Sequence, residues 1–231
     1  MTRRVLLPFI LTLFLAFPAL GQEILTAPDF FDRVSERYSE IVDYSADLAI
    51  VNGETTYGGE LFYRRPSFIR VNFGEPEGQV LVSDGETLQV YIPRYNVVLK
   101  QQLLREGGPG PAALANAEGL ELMRRNYSIA YLDSPDPVPL NEESGGAAAE
   151  EMVTKLRLTW RSTSEGYRQL TLSIGEDLLI RRIVGVTIGF EEVQFDFTNI
   201  ELNQNIPAAR FDYEPPSSAN TFEDFLFERE N

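Results

Sequence analysis

The chain has 231 residues, 35 acidic and 20 basic side chains, no histidine and no cysteine, and a net charge of −15. The missing cysteines exclude disulfides, thiol nucleophiles and thiolate metal sites, and the missing histidines exclude the commonest metal ligand and histidine-based catalytic triads. The acidic balance argues against a nucleic-acid partner, because phosphate binding needs clustered cations. The composition favours a binding protein over an enzyme, with no catalytic residues, no cofactor and no metal site expected.

Residues 1–21 have the features of a secretory signal peptide. A pair of arginines is followed by an apolar run over 5–17, and small residues precede a cut ahead of Gln22. The run is shorter than the roughly 20 residues that a membrane-spanning helix needs. We therefore expect 1–21 to be removed, which leaves 22–231 as one exported, soluble domain. Export without disulfides fits a bacterial periplasm.

A helix of about 14 residues is predicted to follow Thr26, because Thr26 and Asp29 have the spacing of a capped start. Apolar residues then recur at intervals of three and four, namely Phe30, Phe31, Val34, Tyr38 and Ile41. This single stripe predicts a helix that packs on the face of a sheet.

From residue 44 the apolar period becomes two, which predicts strands separated by tight turns. The predicted strands of this part are 44–51, 56–64, 68–73, 79–82, 88–92 and 97–101. Within the third strand, alternation places Ile69, Val71 and Phe73 on one face.

The middle of the chain lacks this alternation. A glycine- and proline-rich breaker at 107–111 precedes a short predicted helix over 112–123. The apolar side of that helix carries Leu114, Ala117, Leu120 and Met123. The polar stretch 133–151 predicts a long mobile loop.

Alternation resumes near residue 155, with Leu156, Leu158 and Trp160 on one face. Further strands are predicted at 169–174, 184–190 and 193–198, the second of these with Val184 and Val186 facing inward. Ten or eleven strands joined by tight turns indicate an antiparallel meander, a mainly β fold with few helices. One apolar and one polar face indicate a curved sheet, and closing or half-closing it would hide its edges.

A curved sheet of this size has a concave apolar face wide enough for a ligand, and two amphipathic helices are available to cover it. Tight packing would give an ordinary core, and loose packing would give a cavity for acyl chains; composition leaves both alternatives open. An acyl chain gains about 0.8 kcal/mol per buried methylene, so binding needs no catalytic group. The residues expected to line a cavity are Ile69, Val71, Phe73, Leu88, Val90, Leu156, Leu158, Trp160 and Val186.

Two motifs carry a resemblance to a known family. GELFYRRP at 59–66, followed by FIRV, and VLVSDGETLQVYIP at 80–93 resemble the outer-membrane lipoprotein carrier family of the LolA type. The run FDYEPP at 211–216 is similar to the tail of that family. The resemblance implies an incomplete antiparallel β-barrel, or half-barrel, of about 10–11 strands, with helices forming a lid over a hydrophobic cavity.

The same resemblance implies a monomeric periplasmic chaperone. It would take acylated lipoproteins from an inner-membrane ABC transporter of the lipoprotein-release type and deliver them to an outer-membrane acceptor. The resemblance also assigns a lid-closing role to Arg65, the residue before the proline of the first motif. A guanidinium can bond several lid carbonyls in a fixed fork, which lysine cannot reproduce, and Arg64 is expected to point the other way.

Three other interpretations remain open at this stage. The first is a periplasmic regulatory module that senses lipids or lipoproteins with the same half-barrel. The second is a hydrolase that uses only carboxylates, although its candidate pairs lie in a predicted loop or on opposite faces of a strand. The third is a structural or adhesive exported protein. The acidic and aromatic tail over 221–231 departs from the family pattern and is expected to be frayed or loosely packed.

Overall fold

The computed structural model describes residues 25–103, 115–141, 151–161 and 167–224. Helix α1 is Ala27–Glu40 and helix α2 is Ala117–Asn126. The strands before α2 are β1 Asp43–Asn52, β2 Thr55–Arg64, β3 Phe68–Glu75, β4 Val80–Ser83, β5 Thr87–Ile92 and β6 Val97–Gln102. The strands after α2 are β7 Tyr127–Tyr131, β8 Val138–Pro139, β9 Met152–Trp160, β10 Tyr167–Gly175, β11 Ile180–Thr187, β12 Glu192–Leu202 and β13 Asn220–Glu223.

The thirteen strands form one sheet in the order β13-β6-β5-β4-β3-β2-β1-β12-β11-β10-β9-β7, with β8 also paired to β9. Every pairing is antiparallel except that of β13 with β6. Among the described strands β13 and β7 are the two ends and are not paired with each other, so the sheet is curled but open. The predicted mainly β half-barrel with two helices is confirmed, and a closed barrel is not formed.

Hydrogen bonds from N-cap side chains determine where the two helices begin. The Thr26 hydroxyl accepts a hydrogen bond from the Asp29 backbone N–H at 3.3 Å, as its spacing predicted, and α1 has the expected 14 residues. Helix α2 begins later than predicted, because the side-chain oxygen of Asn116 accepts from the backbone N–H of Gly119 at 2.8 Å. The N-cap therefore fixes the start of α2 at Ala117.

All ten predicted strands are present, and three strands were missed. Strand β7 follows α2 directly, without a turn signal between them. Strand β8 lies in the predicted loop 133–151 and pairs with the start of β9, whereas 142–150 lies outside the described residues. The tail predicted to be frayed or loosely packed over 221–231 is not frayed at its start, because Asn220–Glu223 pairs with β6, although all four side chains of this strand are exposed; residues 225–231 lie outside the described range.

The segment 203–219, here called the C-terminal strap, crosses the outer face of the first half of the sheet. Its Ile206 and Phe211 form a second small core with Phe62, and the Phe211 ring lies 5.6 Å from that of Phe68. The Arg70 guanidinium donates to the backbone oxygen of Arg210 at 2.8 Å. The strap therefore covers β2 and β3 on the side away from the helices.

The predicted signal peptide at 1–21 lies outside the described residues. In the part of the chain that the structure describes, no helix has the length and apolar character needed to cross a bilayer.

Candidate functional site: an apolar inner wall and its helical cover

Cross-strand pairing defines the inner face of the sheet. One row runs across β2 to β6 through Leu61, Val71, Leu81, Val90 and Leu99, each paired with the next. A second row crosses β9 to β12 through Leu156, Leu172, Ile183 and Phe195. Because paired residues share a face, these rows form one continuous apolar surface, here called the inner wall.

The two helices fill the space over the larger part of the inner wall. Phe31 and Val34 of α1 and Leu120 of α2 are fully buried in the main core. The crevice beneath Tyr38 and Ile41 has an internal volume of about 0 Å³. The expectation of a preformed open cavity is therefore wrong for this region, since the helices pack tightly on the wall. Binding of a chain here requires the helices to move.

The inner face of β4 to β6 is less completely covered. Leu81, Leu88, Val90 and Leu99 all face inward and are all half-buried. Leu81 packs against the main core, whereas the other three do not. These four residues are here called the apolar strip. The strip continues the buried wall and leaves apolar surface accessible next to it.

The residues predicted to line a cavity fall into three groups. Those buried under the helical cover are Ile69, Val71, Phe73, Leu156 and Leu158. Leu88 and Val90 belong to the apolar strip. Trp160 is half-buried at the end of β9, where its ring meets Tyr127 edge-on at 4.8 Å.

Val186 does not face the inner wall, so its predicted orientation is wrong. It pairs with Glu192, whereas its neighbour Gly185 pairs with Leu170 of the wall. Strand β11 carries β-branched residues on both of its faces, so alternation in the sequence does not indicate which face points inward. The register places Gly185 on the inward face, where the ring of Tyr167 occupies the space beside it, since a Cβ on Gly185 would lie 2.5 Å from that ring.

The predicted lid residues are partly in place. Leu120 and Met123 are buried and face the wall, and Ala117 is half-buried at the first turn of α2. Leu114 lies outside the described residues.

Arg65 contacts the cover at the end of α1. Its Nη1 donates to the backbone oxygen of Ser39 at 2.8 Å, and this is one helix carbonyl rather than the several expected. The last carbonyls of a helix lack partners inside the helix and carry partial negative charge, which suits a cation. Arg64 points the other way, as predicted, and donates to Ile206 of the C-terminal strap at 3.2 Å.

Two buried tyrosines, which sequence reasoning assigned only to packing, also join the cover to the sheet. The Tyr44 hydroxyl of β1 donates to the backbone oxygen of Ala115 at 2.8 Å. The Tyr38 hydroxyl of α1 accepts from the backbone N–H of Ile180 at 3.0 Å. A buried phenol hydroxyl needs a hydrogen-bond partner. A tyrosine within an otherwise apolar stripe is therefore the one sequence feature that could have indicated these hydrogen bonds between the cover and the sheet.

Exposed polar contacts complete the attachment of the cover. The Ser67 hydroxyl donates to the carboxylate of Glu118 on α2 at 2.9 Å. Arg124 of α2 forms an ion pair with Asp32 of α1 at 2.7 Å, which joins the helices to each other. Exposed pairs of this kind contribute little individually, so the cover is held by packing supplemented by a few polar contacts.

The tyrosines beneath the cover stay protonated at neutral pH. Burial raises the pKa of Tyr38 and of Tyr44 well above the ordinary value. Burial, with a further contribution from the nearby Glu118 carboxylate, raises the pKa of Tyr63 to about 12. Their hydroxyls therefore remain able to donate hydrogen bonds over the whole physiological range.

The raised pKa values of these tyrosines predict how the free energy of unfolding depends on pH. Native tyrosines hold their protons more tightly than the same residues in the unfolded chain, whose pKa is near 10. The stabilisation is therefore complete below pH 10 and is lost as pH rises through the native pKa values. Without histidine, the free energy of unfolding should change little from pH 6 to 9 and fall steeply above about pH 10. Urea unfolding across this range measures it, and a slope centred near pH 6.5 would contradict the prediction.

Comparisons with known proteins agree with the motif analysis. The family profile described as "Outer membrane lipoprotein carrier protein LolA" matches residues 51–135, a range that contains both motifs. The outer-membrane lipoprotein carrier protein of Albidiferax ferrireducens is 23% identical over 185 residues, covering 79% of this chain and 81% of that protein. The corresponding protein of Serratia proteamaculans is 27% identical over 181 residues, covering 78% and 75%.

A solved structure shares the fold. An uncharacterized conserved protein from Thermus thermophilus superposes with a TM-score of 0.54 at 16% identity, covering 85% of this chain and 98% of that one. At this identity the likeness concerns the open, curled sheet and its helices alone.

Proposed function

We propose, from the similarity of this chain to the outer-membrane lipoprotein carriers, that it is a periplasmic chaperone for acylated lipoproteins. It would bind the acyl chains of lipoproteins released by an inner-membrane ABC transporter and deliver them to an outer-membrane acceptor. We propose a monomer that acts without a cofactor and is exported by the signal peptide at 1–21.

The observation that carries this proposal is the continuity of the apolar inner wall. Along one row the wall is apolar from the accessible Leu81, Val90 and Leu99 to the fully buried Leu61 and Val71. The neighbouring row is mixed, because the buried polar residues Ser83 and Gln101 flank Leu88 there. An acyl chain can first contact the apolar strip and then advance beneath the helices as they move away. The tightly packed interior is then the closed, unloaded state of the carrier.

The free energies of burial support displacement of the helices by cargo. Each of the large side chains Phe31, Val34 and Tyr38 contributes roughly 1.5–3 kcal/mol by burial, so exposing all three costs about 5–9 kcal/mol. A palmitoyl chain with about 14 methylenes gains about 11 kcal/mol when it is fully buried. One or two chains are therefore enough to replace α1 on the wall.

Direct binding of a lipopeptide tests the proposal. A dipalmitoylated peptide is mixed with the purified protein without detergent, and the mixture is separated by gel filtration. We expect the peptide to elute with the protein at a ratio of about one to one. Burial of both palmitoyl chains gains about 22 kcal/mol, which exceeds the cost of about 5–9 kcal/mol for displacing α1 by more than the roughly 12 kcal/mol that corresponds to nanomolar binding. The same peptide without acyl chains should elute alone. Aggregation of the lipopeptide apart from the protein would contradict the proposal.

A further inference from the structure

The turn between β11 and β12 presents two large apolar side chains to solvent. Ile188 is 54% exposed and Phe190 is 74% exposed. Two backbone hydrogen bonds close the turn: the Phe190 N–H donates to the Thr187 oxygen at 3.0 Å, and the Thr187 N–H donates to the Glu191 oxygen at 2.9 Å. Residues 188–190 are here called the turn knob. The closed turn holds the knob in one place at the end of the sheet.

Phe190 has a backbone conformation that is unfavourable for a bulky residue. Its φ is +64°, which lies in the left-handed region. A Cβ is crowded there, so glycine or asparagine is the usual occupant. The glycine of this turn, Gly189, stands one residue earlier, where φ is not positive and glycine is not required. Stability alone would therefore favour asparagine over phenylalanine at position 190.

A second turn of the same construction shows what can offset such strain. In the turn between β10 and β11 the corresponding residue is Leu178, whose φ is also +64° and whose N–H donates to the Gly175 oxygen at 3.0 Å. Leu178 packs against the main core, so burial of its side chain offsets the strained backbone. Phe190 belongs to neither of the core clusters formed by the described residues. The other described non-glycine residues with positive φ are asparagine or aspartate, which tolerate it. Strain without burial is typical of a functional site.

Arg168 of β10 fixes the orientation of the Phe190 ring. Its guanidinium carbon lies 4.2 Å from the ring centre, yet most of the ring still faces solvent. A fluid bilayer would accept an apolar side chain from any position in the turn, including 189, where no strain arises. A strained and oriented ring suits a pocket of defined shape instead. Aromatic side chains that fill such pockets dominate the binding energy of many protein interfaces.

Carboxylates surround the turn knob. Glu191 and Glu192 follow it directly, and Glu54 lies in the adjacent β1–β2 turn, because Asn52 pairs with Val193. All three glutamates are exposed, and none forms an ion pair with a described residue. The complement of this surface is an apolar pocket with a basic rim. We propose that the turn knob docks into such a pocket of a partner protein, whose rim carries lysine or arginine.

The location of the partner rests on the proposed function. A carrier of acylated proteins exchanges its cargo at membranes, so the pocket belongs to a membrane protein. The knob lies outside the inner wall and the helical cover. Substitutions in the knob should therefore leave lipopeptide binding unchanged.

Sedimentation with membrane vesicles tests this proposal on the full, unloaded protein. The protein is mixed with vesicles of the native membranes of the source organism and, separately, with protein-free vesicles of the lipids extracted from them. We expect saturable binding to the native vesicles alone. Phe190→Asn should weaken this binding at least about tenfold, because the anchoring ring is lost. The same substitution should raise the melting temperature by about 2–4 °C, because asparagine tolerates the left-handed backbone.

Tyr95 offers a matched control in the connection between β5 and β6. It is 65% exposed and has the guanidinium of Arg94 at 5.6 Å from its ring, but its backbone is not left-handed. Tyr95→Asn removes a comparable exposed ring at a distant site and should leave vesicle binding within about twofold.

Several results would overturn the proposal. These are no binding to native vesicles, equal binding by Phe190→Asn and the unmodified protein, or a lower melting temperature of Phe190→Asn, which would show that the ring supports the fold. Binding to protein-free vesicles that Phe190→Asn abolishes would assign the knob to the bilayer and would also overturn it. Lipopeptide binding is measured separately, so failure of the carrier function would not be mistaken for failure of the turn knob.

Discussion

Locking α1 onto the sheet should abolish lipopeptide binding. The rings of Phe30 and Tyr131 lie 6.2 Å apart, between α1 and β7. A double variant, Phe30→Cys with Tyr131→Cys, can be joined by a short reducible crosslinker, and the chain has no natural cysteine to interfere. The C-terminal end of α1 is followed closely by β1, so its N-terminal end is the end that can swing away. We expect the locked protein to bind at least about hundredfold more weakly, a loss of about 3 kcal/mol.

The locked variant supplies its own control. Reduction of the crosslinker should restore binding in the same sample, which excludes an effect of the substitutions themselves. A second control treats the single variant Phe30→Cys with the same crosslinker, which attaches the reagent to α1 without joining the helix to the sheet. That protein should still bind. Equal binding before and after reduction of the 30–131 crosslink would show that cargo does not need α1 to move.

Arg65→Leu should leave the protein folded and slow the release of cargo. The substitution removes the 2.8 Å hydrogen bond to Ser39 and so favours the open, loaded state over the closed one. A hydrogen bond from a charged donor contributes about 1.5 kcal/mol, which corresponds to roughly tenfold slower release. The measurement is the transfer of a labelled lipopeptide from the loaded protein to outer-membrane vesicles.

Arg64→Leu is the matched control for this substitution. Arg64 is the adjacent residue with the same side chain, but it bonds to the C-terminal strap on the outer face. Its transfer rate should stay within about twofold of the unmodified protein, because the change does not touch the helical cover. Transfer by Arg65→Leu at the unmodified rate would remove the lid-closing role. A protein that binds lipopeptide but never transfers it would instead fit the regulatory, lipid-sensing interpretation.

The elements that the sequence predicted correctly are those with local signals. The Thr26 cap and the apolar stripe of α1 depend on residues within one or two turns, and the alternation of β1 to β6 depends on turns of a few residues. Strand β13 was missed because its partner, β6, lies more than 100 residues earlier in the chain. A four-residue parallel pairing leaves no periodic pattern that can be read locally.

The candidate site was predictable only in part, for related reasons. Alternation identified most of the inner wall but gave the wrong face for Val186, because the inward residue of β11 at this level is Gly185, which has no side chain to mark that face. The role of Arg65 came from the family motif, since an arginine before a proline has no distinctive local pattern. The packed interior depends on side-chain volumes that periodicity does not measure.

Fluorescence of the single tryptophan tests most directly whether acyl chains occupy the inner wall. Trp160 is the only tryptophan in the chain, and it lies next to Tyr127 at the edge of the covered region. Titration with a lipopeptide whose acyl chains carry bromine should quench this fluorescence and saturate near one equivalent, and the unbrominated lipopeptide should not quench it. Unchanged fluorescence, while the brominated lipopeptide still elutes with the protein, would show that the acyl chains do not replace α1 beside β7 and β9, and would contradict displacement of the helical cover by cargo.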